Sequence, residues 1–198
     1  MSVKNIRNFS IIAHIDAGKS TLADRLMEKA GLLPPAKTRT PRIDRMELET
    51  ERGVTIKLKA VRLLYTSNSE AYVLNMIDTP GHVDFSYEVS RSLAACEGAL
   101  LLVDATSGVQ AQTLSHLEKA QELGLEVIGA INKIDAPTAR VKEAEEEMHE
   151  LEIKGEILKI SALTGDGVDD IITSIIDRIP APKGDPEKDL RALVYQSY

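Results

Sequence analysis

The stretch Ala13-His14-Ile15-Asp16-Ala17-Gly18-Lys19-Ser20-Thr21 constrains this chain more than any other. It stands between the apolar run Ile6–Ile12, which reads as a strand, and Lys19–Ala30, which reads as a helix. A strand, a glycine-bearing loop and a helix in that order bring backbone N–H groups and a helix N-terminus to face one point. Such a point attracts an anion, phosphate above all. Asp16, Ala17, Gly18, Lys19, Ser20 and Thr21 are therefore the expected phosphate-binding residues. In this arrangement Lys19 reaches the β- and γ-phosphates and the Ser20 hydroxyl ligates Mg²⁺. Gly18 lets the main chain approach closely. The general pattern G-x-x-x-x-G-K-[ST] begins with Gly, and this chain has Ala13 there.

The same alternation continues along the chain. Ile56–Tyr65 and Ala71–Ile77 read as strands on either side of the turn-prone TSNSE, an antiparallel hairpin. Val83–Cys96 reads as a helix and Gly98–Val103 as a strand buried on both faces. Gln112–Leu123 reads as a helix, Glu126–Ile131 as a strand and Thr138–Leu151 as a charged helix. Glu156–Ile160 is a further strand and Val168–Arg178 a last helix. The fold class is α/β: a mainly parallel sheet with one antiparallel hairpin strand and helices on both faces. Residues 31–55 have no clean period, and a loop of that length usually serves function.

Ligands of such sheets bind at the carboxyl ends of the strands, and every further motif falls there. Asp78-Thr79-Pro80-Gly81-His82 follows LNMI. It reads by itself as a Pro-Gly turn, but its carboxylate can hold Mg²⁺ through a water and Gly81 can donate to a γ-phosphate. Asn132-Lys133-Ile134-Asp135 follows VIGAI. Guanine presents N1–H and N2–H₂ side by side, and the Asp135 carboxylate can accept both. Adenine lacks that pair, so a buried Asp135 would go unmatched against it. Asn132 would meet the other edge of the base and tie loops together, and the Lys133 stem would cover the base face. Ser161-Ala162-Leu163 follows EILKI, with the Ala162 N–H aimed at guanine O6. Each motif alone is weak; four in this order, each after a strand, match the pattern of P-loop GTPases over residues 1–180.

Arg52-Gly53-Val54-Thr55-Ile56 together with Asp78–His82 narrows the resemblance to the translational GTPases. Residues 81–113, the opening NIRNFSIIAHID and the tail IPAPKGDPEKDLRALVYQSY resemble the LepA (elongation factor 4) group, with elongation factor G as the runner-up. LepA proteins usually have His where this chain has Ala17. The resemblance implies that Thr55 joins Ser20 and, through water, Asp78 at Mg²⁺. It implies that His82 is the catalytic residue and that Ile15 and Val54 form an apolar gate in front of it. It also implies a monovalent cation, K⁺, near Asp16. The implied activity is GTP hydrolysis by a molecular switch acting on the ribosome, with tRNA reached through other domains. Two rivals are a GTP-gated module with negligible hydrolysis and a P-loop phosphotransferase; the base-reading NKID disfavours the latter.

Composition bounds the rest. The net charge of −7 argues against free, sequence-independent DNA binding. The one cysteine, Cys96, sits in an apolar run and reads as a buried thiol, and the histidines are too scattered to suggest a metal site. No apolar run reaches the ~18 residues of a membrane span. The expected place is the cytoplasm, with a peripheral position on the cytoplasmic face of the membrane left open, and the expected state is a monomer. Residues 1–180 are expected to form the GTP-binding domain, 181–189 a linker, and 190–198 the first strand of a second, β-rich domain.

Overall fold

The computed structural model describes residues 2–34, 59–78 and 86–183. Among the described residues six strands form one sheet: Ile6–Ala13 (β1), Lys59–Ser67 (β2), Glu70–Asp78 (β3), Gly98–Asp104 (β4), Glu126–Asn132 (β5) and Leu158–Lys159 (β6). Their spatial order is β2-β3-β1-β4-β5-β6. Strands β3, β1, β4, β5 and β6 run parallel, and β2 pairs antiparallel with β3. The α-helices among the described residues are Lys19–Lys29 (α1), Ser86–Ala94 (α2), Ala111–Glu122 (α3), Val141–His149 (α4) and Val168–Arg178 (α5). The expected α/β sheet with one antiparallel hairpin strand is thus the observed one.

β4 is apolar from Gly98 to Val103 and β5 from Val127 to Ile131 because both faces of these strands are covered. Phe9 and Ile11 of β1, Leu100 and Leu102 of β4, and Ile128 and Ala130 of β5 point to one side. There they pack against Leu22 and Leu26 of α1 and Ile171, Ile172 and Ile175 of α5. The alternate residues Ile12, Leu101, Val103, Val127 and Ile131 point to the other side, against Val89, Leu117, Ala144 and Met148. A side-chain period of two therefore feeds two cores, one on each face. Truncating one such isoleucine to alanine would cost about 2–5 kcal/mol, since the rigid surroundings cannot close the cavity.

Local chemistry sets the ends of the elements. The β2–β3 turn uses Asn68 (φ 49°) and Ser69 (φ 65°), the two left-handed residues that a tight two-residue hairpin requires. The helix expected to begin at Thr138 begins at Val141 instead. The intervening backbone is held in turns: Ala139 N–H donates to Ala136 O, and Arg140 N–H to Ala105 O. The strand expected over Glu156–Ile160 is only two residues long, Leu158–Lys159. It is an edge strand, and Ser161 N–H turns away to Asp166 O.

Register fixes where the chemistry falls. Ala13 lies beside Leu102, Asp78 beside Ile11, and Asp104 beside Asn132. The loops after β1, β4, β5 and β6 therefore open at the same carboxyl edge of the sheet. The expected linker (residues 184–189 of it) and the expected strand 190–198 lie outside the described residues.

Candidate functional site

The loop after β1 is built around two left-handed residues, Asp16 (φ 63°) and Gly18 (φ 92°). Ala17 N–H closes the first turn on His14 O, and Ala17 is fully buried. Gly18 is the N-cap of α1 and offers no side chain to cap it. Glycine at an N-cap puts no side-chain oxygen in competition with an anion at the helix start. A methyl group on Gly18 would run into the Asn132 side-chain amide, so glycine is required there for space as well as for φ. Lys19 is 8% exposed, Ser20 half-buried, and Asp16 and Thr21 exposed. Ile15 is half-buried, and its N–H points to Gln112 Oε1 at 3.4 Å.

Asn132 ties three loops together. Its Nδ2 donates to Ala17 O at 2.8 Å, and its Oδ1 accepts the Ala162 N–H at 2.9 Å. The loop after β1 is thereby fixed to the Ser161–Leu163 loop through Asn132, which lies 115 residues from Ala17 and 30 from Ala162 in sequence. The expected tie between loops is present. The Ala162 N–H, expected to point at guanine O6, is engaged by Asn132 in this structure. Ser161 is buried, and its Oγ accepts from Thr164 N–H at 3.0 Å. Leu163 is 67% exposed beside it. Arg25 of α1 holds this loop from the other side. Its Nε donates to Ala162 O at 2.9 Å, Nη2 bonds Leu163 O, and Nη1 pairs with Glu28.

Asp135, expected to be buried, is exposed. Lys133 is left-handed (φ 65°), and its Nζ reaches the Asp104 Oδ2 at 2.7 Å. Asp104 Oδ1 accepts from both N–H and Oγ1 of Thr106. Burial alone would raise the Asp104 pKa. The Lys133 ammonium and the two Thr106 donors outweigh it, so the carboxyl is held below its ordinary range. Burial lowers the pKa of His14, where Asp104 and Lys133 act in opposite senses. Burial and then the Lys19 charge lower that of His116. Cys96 is buried as expected, with its thiol pushed up to about 12.

Val54, Thr55, Gly81 and His82 lie outside the described residues, as does the side chain of Asp78. The backbone places Asp78 at the carboxyl end of β3, one strand from the loop that leads to Ser20. A hydroxyl and a carboxylate from neighbouring strand ends are hard oxygen donors of the kind Mg²⁺ takes. Among the described residues no three His, Cys, Asp or Glu side chains cluster as a metal site. Sequence reading missed Asp104 and Arg25. Asp104 carried a signal: like Asp78, it is an acid directly ending an apolar strand. Arg25 carried none, because its partners lie 137 and 138 residues away.

The profile of the elongation factor Tu GTP binding domain matches residues 4–181. The chain is 57% identical to elongation factor 4 of Syntrophomonas wolfei, over 98% of this chain and 33% of that protein. It is 55% identical to elongation factor 4 of Campylobacter jejuni, over 100% of this chain and 33% of that one. The chain thus spans about a third of the length of these curated relatives. The fold is similar to the crystal structure of a bacterial selenocysteine-specific elongation factor, EF-Sec. That match has a TM-score of 0.67 and 29% identity, over 85% of this chain and 28% of that one.

Proposed function

Since the chain belongs to the elongation factor Tu GTP-binding domain family, we propose that it is the GTP-binding and GTP-hydrolysing part of a ribosome-acting switch of the elongation factor 4 (LepA) kind. The observation that carries this is the Asn132 clamp, which joins a phosphate-binding loop to a base-reading loop at one edge of the sheet. Residues 1–180 would form the nucleotide-binding unit, and residues 181–189 a linker to a further domain opened by 190–198.

In this reading the triphosphate lies along residues 16–21, with Lys19 against its β- and γ-phosphates. Asp135 accepts guanine N1–H and N2–H₂, and its burial comes from the base itself. Asn132, the Lys133 stem and the 161–163 loop close around the purine. Ala162 serves guanine O6 only if Asn132 shares its N–H. Ser20 and Thr55, with Asp78 through a water, would hold Mg²⁺, which when bound offsets charge on the β- and γ-phosphates. Asp16 would help hold a K⁺ ion beside the phosphates. A water held by His82 attacks the γ-phosphorus. The new P–O bond forms as the bond to the β-phosphate oxygen breaks, and GDP and phosphate leave. Ile15 and Val54 would screen His82 until the ribosome engages. The protein would work as a monomer in the cytoplasm and meet tRNA through other domains. The described helices include none long and apolar enough to cross a membrane.

The test is turnover and calorimetry on the protein at the length of its relatives. GTP and GDP should bind, ATP should not, and ribosomes should raise turnover by several orders of magnitude over a basal rate of about 10⁻⁴–10⁻² s⁻¹. Equal affinity for ATP and GTP would overturn the base assignment. Tight GTP binding without stimulated turnover would leave a GTP-gated binding module.

A further inference from the structure

Asp104 is the last residue of β4 and sits opposite Asn132 in the sheet register. It is 3% exposed, and a carboxylate so enclosed is costly unless charge and hydrogen bonds compensate it. Three donors do so. Thr106 supplies its N–H at 2.8 Å and its hydroxyl at 2.7 Å to one oxygen, and the Lys133 ammonium approaches the other at 2.7 Å. The segment carrying these groups is itself anchored. Ala105 N–H donates to Asn132 O, Arg140 N–H to Ala105 O, and Arg140 Nη2 to Thr106 O.

We propose that Asp104 is a positioning residue for base recognition, holding the Lys133 side chain stretched across the mouth of the base-binding loop before nucleotide arrives. The proposal rests on reading Asn132–Asp135 as the guanine site. A free lysine stem explores many rotamers, and a base that must settle under it loses affinity to that ordering. Fixing the ammonium on a rigid strand end removes most of this cost. It also supports the left-handed backbone at Lys133 (φ 65°), from which Asp135 projects into solvent. The competing role for Asp104 is local: its own carbonyl already accepts from Ser107 and Gly108 N–H, so its carboxylate could serve only to close the 104–108 turn.

A double-mutant cycle on the full chain separates the two roles, with fluorescent GDP titration and melting temperature measured on each preparation. Asp104→Asn keeps the shape and an acceptor for Thr106 but removes the charge that holds Lys133. It should weaken GDP about tenfold, or about 1.4 kcal/mol. Lys133→Met should weaken GDP at least as much. The double variant should match Lys133→Met, because Asp104 has nothing left to position. An Asp104→Asn affinity within about twofold of wild type would overturn the proposal. So would a tenfold loss from Asp104→Asn that persists in the Lys133→Met background, the additive result of a purely local role. Should Lys133→Met fail to fold because it strands a buried carboxylate, Asp104→Asn decides alone. A tenfold loss at unchanged melting temperature supports the role; unchanged affinity overturns it. Absence of GDP binding by the wild type would instead overturn the guanine-site reading, and this inference with it.

Discussion

Strands β4 and β5 carry polar clamps at both ends, and the two ends differ in what the clamps leave over. At the amino end, Arg178 gives Nε and Nη2 to Glu126 Oε1, and Nη2 also to Val127 O and Lys154 O. Nearby, Arg7 bonds Ile176 O, Lys4 O and Ile6 O, and Asn8 bonds Glu97. There the donors close the structure on itself. At the carboxyl end, Asn132, Asp104 and Arg25 join loops to loops, while Asp16, Asp135 and Leu163 stay exposed between them. Both ends are well bonded. Among the described residues, it is the carboxyl end whose bonds join the loops that carry the nucleotide-binding residues expected from the sequence. The difference teaches that bonding density alone does not mark a site; which loops the bonds bring together does.

The largest expected effect comes from breaking the carboxyl clamp. Asn132→Ala leaves Ala17 O and Ala162 N–H, both enclosed, without their partner. At about 1–3 kcal/mol for each orphaned group, the loop arrangement loses about 2 kcal/mol or more, and GDP affinity should fall by at least about thirtyfold. Calorimetry reads this directly, and a variant that binds GDP within a few-fold of wild type would mean the clamp does not organise the site.

Breaking the other end should give a smaller effect of a different kind. Arg178→Ala removes charge-assisted bonds to one carboxylate and two carbonyls. Urea unfolding should show a loss of about 2 kcal/mol, with GDP affinity unchanged. A change in affinity that matched the loss of stability would erase the distinction between the two ends.

The smallest effect sharpens the comparison through pH. His116, near Lys19, has a folded pKa below its ordinary 6.5, because burial disfavours the charged ring. A depressed folded value means the unfolded chain binds more protons below pH 6.5. Stability from this group is present above that pH and lost as pH falls through the folded value. Glu97, at the amino end, is raised above 4.5 by burial, so its contribution is present at low pH and lost as pH rises through its folded value. Melting curves between about pH 7 and about pH 5.5 should fall less for His116→Gln than for wild type. At about pH 7, Glu97→Gln should melt no lower than wild type, provided the amide keeps the bond from Asn8. A wild-type acid response unchanged in His116→Gln would remove the carboxyl-end half of this contrast.

Much of this was legible in the sequence, and the reason is locality. The near-continuous apolar run Gly98–Val103 predicts a strand covered on both faces, and it is one. Val168–Arg178 has the bounds its pattern predicts, because Gly167 starts it and Ile171, Ile172, Ile175 and Ile176 give it one buried face. The loop from His14 to Gly18 was readable because its glycine, lysine and serine adjoin in sequence. Boundaries slipped where backbone N–H groups found partners outside their own element, as Arg140 did at Ala105.

What the sequence by itself determined is the order of strands and helices, the strand ends at which polar motifs emerge, and the residue types offered there. What only the tertiary structure decided is which of those residues meet. Asn132 reaches Ala17 and Ala162, Arg25 reaches the 161–163 loop, and Lys133 reaches Asp104. Periodicity and propensity act within a few residues, whereas a hydrogen bond across 115 residues depends on sheet register and on which neighbour occupies the adjoining strand. For the same reason the exposure of Asp135 was not legible in the sequence: its surroundings are set by loops that no local pattern encodes.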